Sequence, residues 1–247
     1  MYMITFMEPH LMDTNWNFSV NLYDMQTVFE AFETRAIGGD LSWGYRFLDD
    51  YLVFLTYKLE EKDATIGGRK GYTPVPVERL PTSGLTSSLR LSMSWDTRNN
   101  RIIPTDGFYH NISLEHAEPA LGSDSNFNKV MLNTRFYFPL KWDFILRMNG
   151  TLGWVTTPDE QGIPIYERFF VGGIFSVRGF QRNSLSPVTQ TAASMDPGGA
   201  LTAFPVGGNK ELILNVELEI PIVKAMRLMG VLFLDAGNAF DNGESIT

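Results

Sequence analysis

The sequence predicts an all-β protein, an antiparallel transmembrane β-barrel with about ten strands and one long loop. Three observations predict it. Apolar and polar residues alternate with period two over runs of about nine to twelve residues, long enough for a tilted strand to cross a bilayer. The links between runs alternate in length, as expected of a barrel with tight turns at one rim and long loops at the other. Aromatic residues collect at the ends of runs, on the apolar face, where amphipathic rings meet a headgroup layer.

Strands are expected near 1–7, 15–23, 36–47, 51–60, 87–96, 107–116, 127–138, 143–155, 210–220 and 226–236. In the third, Ile37, Gly39, Leu41, Trp43, Tyr45 and Phe47 oppose Gly38, Asp40, Ser42, Gly44 and Arg46. In the fifth, Leu89, Leu91, Met93 and Trp95 oppose Arg90, Ser92, Ser94 and Asp96. The sixth sets His110, Ile112, Leu114 and His116 on one face, so these histidines face lipid or the interface and a catalytic role for them is not expected. The seventh sets Val130, Leu132, Thr134, Phe136 and Phe138 against Lys129, Asn133, Arg135 and Tyr137. The eighth sets Leu146, Met148, Leu152 and Trp154 against Arg147, Asn149 and Thr151. The ninth sets Leu212, Leu214, Val216, Leu218 and Ile220 against Glu211, Ile213, Asn215, Glu217 and Glu219. In the tenth, Leu228, Gly230, Leu232 and Leu234 oppose Arg227, Met229, Val231, Phe233 and Asp235. The longest links, 61–87 and 156–209, are rich in Gly, Pro, Ser and Thr.

Composition narrows the function. The chain has 247 residues, with 20 Lys and Arg against 28 Asp and Glu, a net charge of −8 that argues against nucleic acid as a partner. Charged residues are only 19% and aromatics 13%, which excludes a disordered chain. Without cysteine, disulfides, thiol catalysis and Cys-ligated zinc are excluded. No apolar run is long enough for a transmembrane helix, and the opening MYMITFMEPH lacks the basic region of a signal peptide. A soluble sandwich would also alternate. Its strands, however, are usually about five or six residues long, and its polar face carries many Lys and Glu, where this one is mostly small and uncharged.

A resemblance sharpens the reading. Gly172 and Gly173, followed by Val177, Arg178, Gly179 and Phe180, look like the signature loop of the BamA-like outer-membrane assembly-factor family. Asp96, Thr97 and Arg98 with Pro104, Thr105, Asp106 and Gly107 resemble a turn of that family. The run from Tyr166 to Gly173, then Gly207, Gly208, Asn209 and Lys210, then Glu217 with Pro221, and Asp235, Gly237, Asn238 and Phe240 agree in order and spacing. Phe6, Glu8 and Pro9 extend the match toward the start. The resemblance implies a fragment of a barrel of about sixteen strands, with its periplasmic POTRA domains and its first and last strands lying outside residues 1–247.

The resemblance implies that the long loop, 156–209, folds back into the lumen as the family's signature loop does. If the Leu-rich face of the tenth strand meets lipid, Asp235 points inward beside Glu217, and the two acids need a cation between them. Arg178 offers a fork suited to both. Gly179 would let the backbone turn and approach the wall, and Phe180 would anchor the tip. The expectation is a loop-to-barrel lock of Val177, Arg178, Gly179, Phe180, Glu217 and Asp235, with Glu219 a rival acceptor. Asp40 and Arg46 read as wall charges, and Asp96 with Arg98 as turn stabilisers. Residues 235–241 fail the EF-hand spacing, and no catalytic, metal or cofactor site is expected.

By resemblance the chain is the barrel of a non-enzymatic insertase in the outer membrane of a Gram-negative bacterium. Its partners would be nascent outer-membrane proteins, assembly-machine lipoproteins and outer-membrane lipid. The rivals are a TamA-like factor, a two-partner secretion translocator and, further off, a passive diffusion porin.

Overall fold

The computed structural model describes residues 1–28, 32–66, 81–192, 201–226 and 228–241. Ten strands form one antiparallel sheet: β1 (Tyr2–Glu8), β2 (Trp16–Val28), β3 (Phe32–Leu48), β4 (Tyr51–Ile66), β5 (Ser83–Asp96), β6 (Gly107–Ala117), β7 (Phe127–Pro139), β8 (Ile145–Thr156), β11 (Lys210–Val223) and β12 (Leu228–Phe240). Each neighbours the next in sequence, except that β8 pairs with β11 across the long loop. β1 and β12 are the two edges and do not pair with each other, so the sheet is not closed. The expected strands are all present.

The faces agree with the alternation. Leu41, Leu55, Leu91, Leu114, Leu214 and Leu232 are exposed, while the opposite face holds the buried polar side chains Ser19, Glu60, Ser88, Glu115 and Glu211. Oil therefore lies on the convex outside and polar groups lie within, the inverse of a soluble sandwich. At the rim of tight turns the aromatics form a continuous belt. Trp16 meets Tyr45 at 4.7 Å, Phe47 meets Tyr51 at 5.3 Å, Tyr51 meets Trp95 at 5.1 Å and Trp95 meets Phe108 at 4.5 Å. His110 belongs to this belt, with its Nδ1 2.5 Å from the Thr134 hydroxyl. Trp154, paired with Val130 and Lys210, marks the opposite rim.

Two features depart from the expected pattern. β2, β3, β4 and β5 run further toward the long-loop rim, β3 to 17 residues and β4 to 16. Beyond the bilayer neither face must be apolar, so the ladder continues where the alternation stops. Arg35, for example, pairs with Asp24 at 2.8 Å on the lipid-side parity. The long loop also contains a short hairpin, β9 (Val188–Ala192) and β10 (Leu201–Pro205), in a stretch expected to be irregular. The remainder of that loop's middle, 193–200, and residues 67–80 of the other long link lie outside the described residues, as does Arg227.

The loop supplies the dry part of the interior. Ile163, Phe169, Val171 and Val177 pack with Ala117 of β6, Phe127 of β7, Val155 of β8, Ile213 of β11 and Ala239 of β12. An apolar cluster thus sits inside the polar face of the sheet, built from loop residues that carry no periodic signal.

Candidate functional site: the loop tip and the lumen wall

β11 and β12 set the acids. Their register places Asp235 opposite Asn215 and Glu217 opposite Phe233. Asp235 and Glu217 therefore lie diagonally on the luminal face, within one long side chain of each other. Arg178 spans the gap. Its Nε and Nη2 donate to Asp235 at 2.6 and 2.7 Å, and its Nη1 lies 2.5 Å from Glu217. The Arg178 backbone N–H adds a third donation to Asp235, at 3.0 Å. The Asp235 side chain is 2% exposed, so these donors replace the water its carboxylate has lost. The two acids hold the Arg178 guanidinium even more firmly in its charged form than is usual for arginine.

Two further residues complete the arrangement, and neither belongs to the expected lock. Asn215 donates to Asp235 at 2.9 Å and to the carbonyl of Ser176 at 2.8 Å, so it holds the acid and the loop backbone together. The guanidinium of Arg178 sits over the Phe233 ring, with Cζ 3.8 Å from the centroid, a cation–π contact that favours Arg over Lys. The luminal parity of both was legible, but their contacts, Asn215 with Asp235 and Phe233 with Arg178, depend on register.

The roles of the neighbouring loop residues differ from expectation. Val177, not Phe180, is the apolar anchor: Val177 is 2% exposed, while Phe180 is 53% exposed. The reason lies in β12. A Cβ at Gly237 would sit 3.1 Å from a Val177 methyl, so the bare backbone of Gly237 makes room for Val177. Gly179 does turn the chain, at φ +88°, but a Cβ there would meet nothing within 4 Å. Its glycine serves the left-handed backbone and not a close approach to the wall. Glu219 is not Arg178's acceptor, because Arg147 of β8 takes it at 2.9 Å. Asp96 and Arg98 form the expected bidentate turn contact, at 2.7 and 2.8 Å, and Asp40 accepts from Asn21 at 2.8 Å on the wall. No cluster that could ligate a metal occurs among the described residues.

The Omp85 superfamily domain model matches residues 1–247, the whole chain. The chain belongs to the Omp85 superfamily. It is 24% identical to the outer membrane protein assembly factor BamA of Nitratidesulfovibrio vulgaris over 253 aligned positions, covering 98% of this chain and 29% of that protein. It is 32% identical to BamA of Neisseria meningitidis over 142 positions, 56% of this chain and 17% of that protein. A sorting and assembly machinery component 50 homolog of Mus musculus is 28% identical over 189 positions, 76% of this chain and 40% of that protein. This Omp85 chain therefore spans less than half the length of these curated relatives. Among solved structures, BamA from Haemophilus ducreyi lacking POTRA domains 1–3 superposes with a TM-score of 0.79 at 20% identity, covering 97% of this chain and 49% of that one. The ten-strand sheet is thus that of an outer-membrane barrel of the Omp85 kind.

Proposed function

We propose that this chain forms part of the central barrel of an outer-membrane β-barrel assembly factor, a non-enzymatic machine that folds and inserts other barrels. The observation that carries the reading is the whole-length Omp85 match together with relatives whose names all denote assembly. The physical logic is strand addition. An incoming strand that pairs with a barrel edge never leaves its backbone polar groups unsatisfied in lipid. The substrates would be nascent outer-membrane proteins, with assembly-machine lipoproteins and lipid as further partners, and no cofactor is required. Within this machine, the contacts of Arg178 with Asp235 and Glu217 act as a lock that keeps the long loop seated against β11 and β12.

Depletion of the protein in its host tests the reading. The amounts of folded, heat-modifiable barrels in the outer membrane should fall well before growth stops. Normal barrel assembly in depleted cells, or large single-channel conductance of the purified protein, would overturn it in favour of a translocator or porin.

A further inference from the structure

The long loop makes a second ionic contact with the lumen wall, of opposite polarity to the first and on different strands, β4 and β7. Glu167 sits in a single helical turn, Ile165–Glu167, eleven residues before Arg178 in the chain. Its side chain is 3% exposed. Lys62 of β4 reaches one carboxylate oxygen at 2.9 Å, and Lys129 of β7 reaches the other at 3.1 Å. Lys129 also donates to the Glu167 backbone carbonyl at 3.1 Å. Both lysines stand against loop rings, Lys62 over Tyr166 and Lys129 over Phe169.

The wall behind Glu167 is a chain of charges. Lys62 contacts Glu60 at 3.0 Å, Glu60 contacts Lys58 at 2.7 Å, Lys58 contacts Glu115 at 2.8 Å and Glu115 contacts Arg90 at 2.6 Å. Among the described residues this cluster gathers the cations Lys58, Lys62, Arg90 and Lys129 against the wall acids Glu60 and Glu115. Cations outnumber acids there until the loop brings Glu167 in. The wall cluster is therefore built to receive an acid from the loop, just as β11 and β12 are built to receive a base.

We propose that Glu167 is a positioning residue: it clasps the ascending limb of the loop to β4 and β7 independently of the Arg178 lock on β11 and β12. With both clasps closed, the loop is a strap across the lumen, tying two strand groups of the sheet together. With the Arg178 clasp open, the tip swings while the limb stays attached. This rests on the proposed lock only for the tip, and the experiment separates the two.

The test is peptide-resolved hydrogen exchange on the protein in its native membrane, with any flanking sequence retained. Glu167→Gln keeps the shape and removes the charge. It should speed exchange over 163–171 by at least about tenfold while 176–178 stays protected. Arg178→Ala should do the reverse. Unchanged exchange at 163–171 in Glu167→Gln, or equal loosening of both segments, overturns the independent clasp. An inert Arg178→Ala beside a loosened Glu167→Gln limb would instead remove the lock and leave the clasp standing. A merely packed Glu167 would show no charge coupling, so the second readout is Glu167→Gln with Lys129→Gln. Removing the stranded cation should restore part of the protection, and an additive loss would overturn the electrostatic role. Should Glu167→Gln fail to accumulate, Lys129→Gln alone serves, with the same expected segment and the same overturning result.

Discussion

At the scale of single residues, the lock divides into a charge part and a packing part, and the two predict different losses. Arg178 makes a bidentate contact with a buried acid, a further contact with Glu217 and a ring contact with Phe233. Lysine keeps the charge and loses the fork and the guanidinium–ring contact. Arg178→Ala strands the buried Asp235. Breaking a buried pair costs about 3–5 kcal/mol, and the partial exposure of Arg178 lowers the expectation here to about 2–3 kcal/mol. Protease sensitivity at the loop tip should therefore rise most in Arg178→Ala and less in Arg178→Lys; an equal rise in both would show that charge alone contributes nothing, and no rise in Arg178→Lys would show that only charge matters. For the packing part, Val177→Ala should loosen the tip by about 1–2 kcal/mol, whereas Phe180→Ala should cost under about 0.5 kcal/mol because its ring is already half in solvent. Exchange of the tip amides reads both, and a larger effect at Phe180 would contradict the anchor assignment. Parity and charge picked out Asp235 and Glu217 in the sequence, and the family resemblance of the motif around Arg178 supplied the cation between them. None of these reached Asn215 and Phe233, which are chosen by register, a property of two strands together.

At the scale of elements, the strands were legible where lipid constrains them and not where it ends. Period two appears because one face must be apolar and the other must line the lumen. The outer ends of β3 and β4 escape the lipid demand, although Glu60 and Lys62 still line the lumen wall, so the apolar period stops there while the hydrogen-bond ladder continues. The loop was the least legible element. Its apolar residues follow no period, and the identity of its anchor was settled by a missing side chain on another strand, Gly237. A signal for Glu167 did exist: Lys58 and Lys62 of β4 and Lys129 of β7 share the luminal parity, an excess of cations that asks for an acid. The limb's response to acid follows from this arrangement. Burial by itself would raise the Glu167 carboxyl, but Lys129, Lys62 and Lys58 outweigh it and hold it far below its ordinary value of 4.5. A carboxyl depressed in the folded state contributes fully above its unfolded value and loses that contribution as pH falls below it. Exchange protection over 163–171 should therefore not fall between neutral pH and about 4.5 and should erode below that, with Glu60, Glu115, Glu211 and Tyr166 the other titratable groups around it. Glu167→Gln should lack the share of that acid erosion that belongs to position 167. An identical pH profile in the two proteins would place the titrating group elsewhere.

For the whole molecule, the decisive property is which side of the curved sheet meets oil, and one pair of substitutions tests it. Leu214 lies near the middle of β11, with Gly150 of β8 and Ala236 of β12 beside it, and its side chain is 50% exposed on the convex face. Asn215, the next residue, faces the lumen and bonds the loop. A soluble sandwich would tolerate Arg at the exposed position and reject it at the interior one. A bilayer reverses the order, because a guanidinium at the hydrocarbon midplane costs about 2–4 kcal/mol, while the lumen offers water and counter-charges. The luminal partner should be Thr151, which bonds no loop residue among the described residues and pairs with Ile213 and Asn133 on the luminal face. Leu214→Arg should lower the stability of the protein refolded in lipid by that amount, and Thr151→Arg by under about 1 kcal/mol. Denaturant titration in vesicles measures both. If Thr151→Arg proved the costlier change, the luminal face would be the dry one, and the lock, the clasp and the proposed membrane function would lose their common ground. The expected order instead ties the three together: only a wall with oil outside leaves polar side chains free inside to grip a loop from two directions.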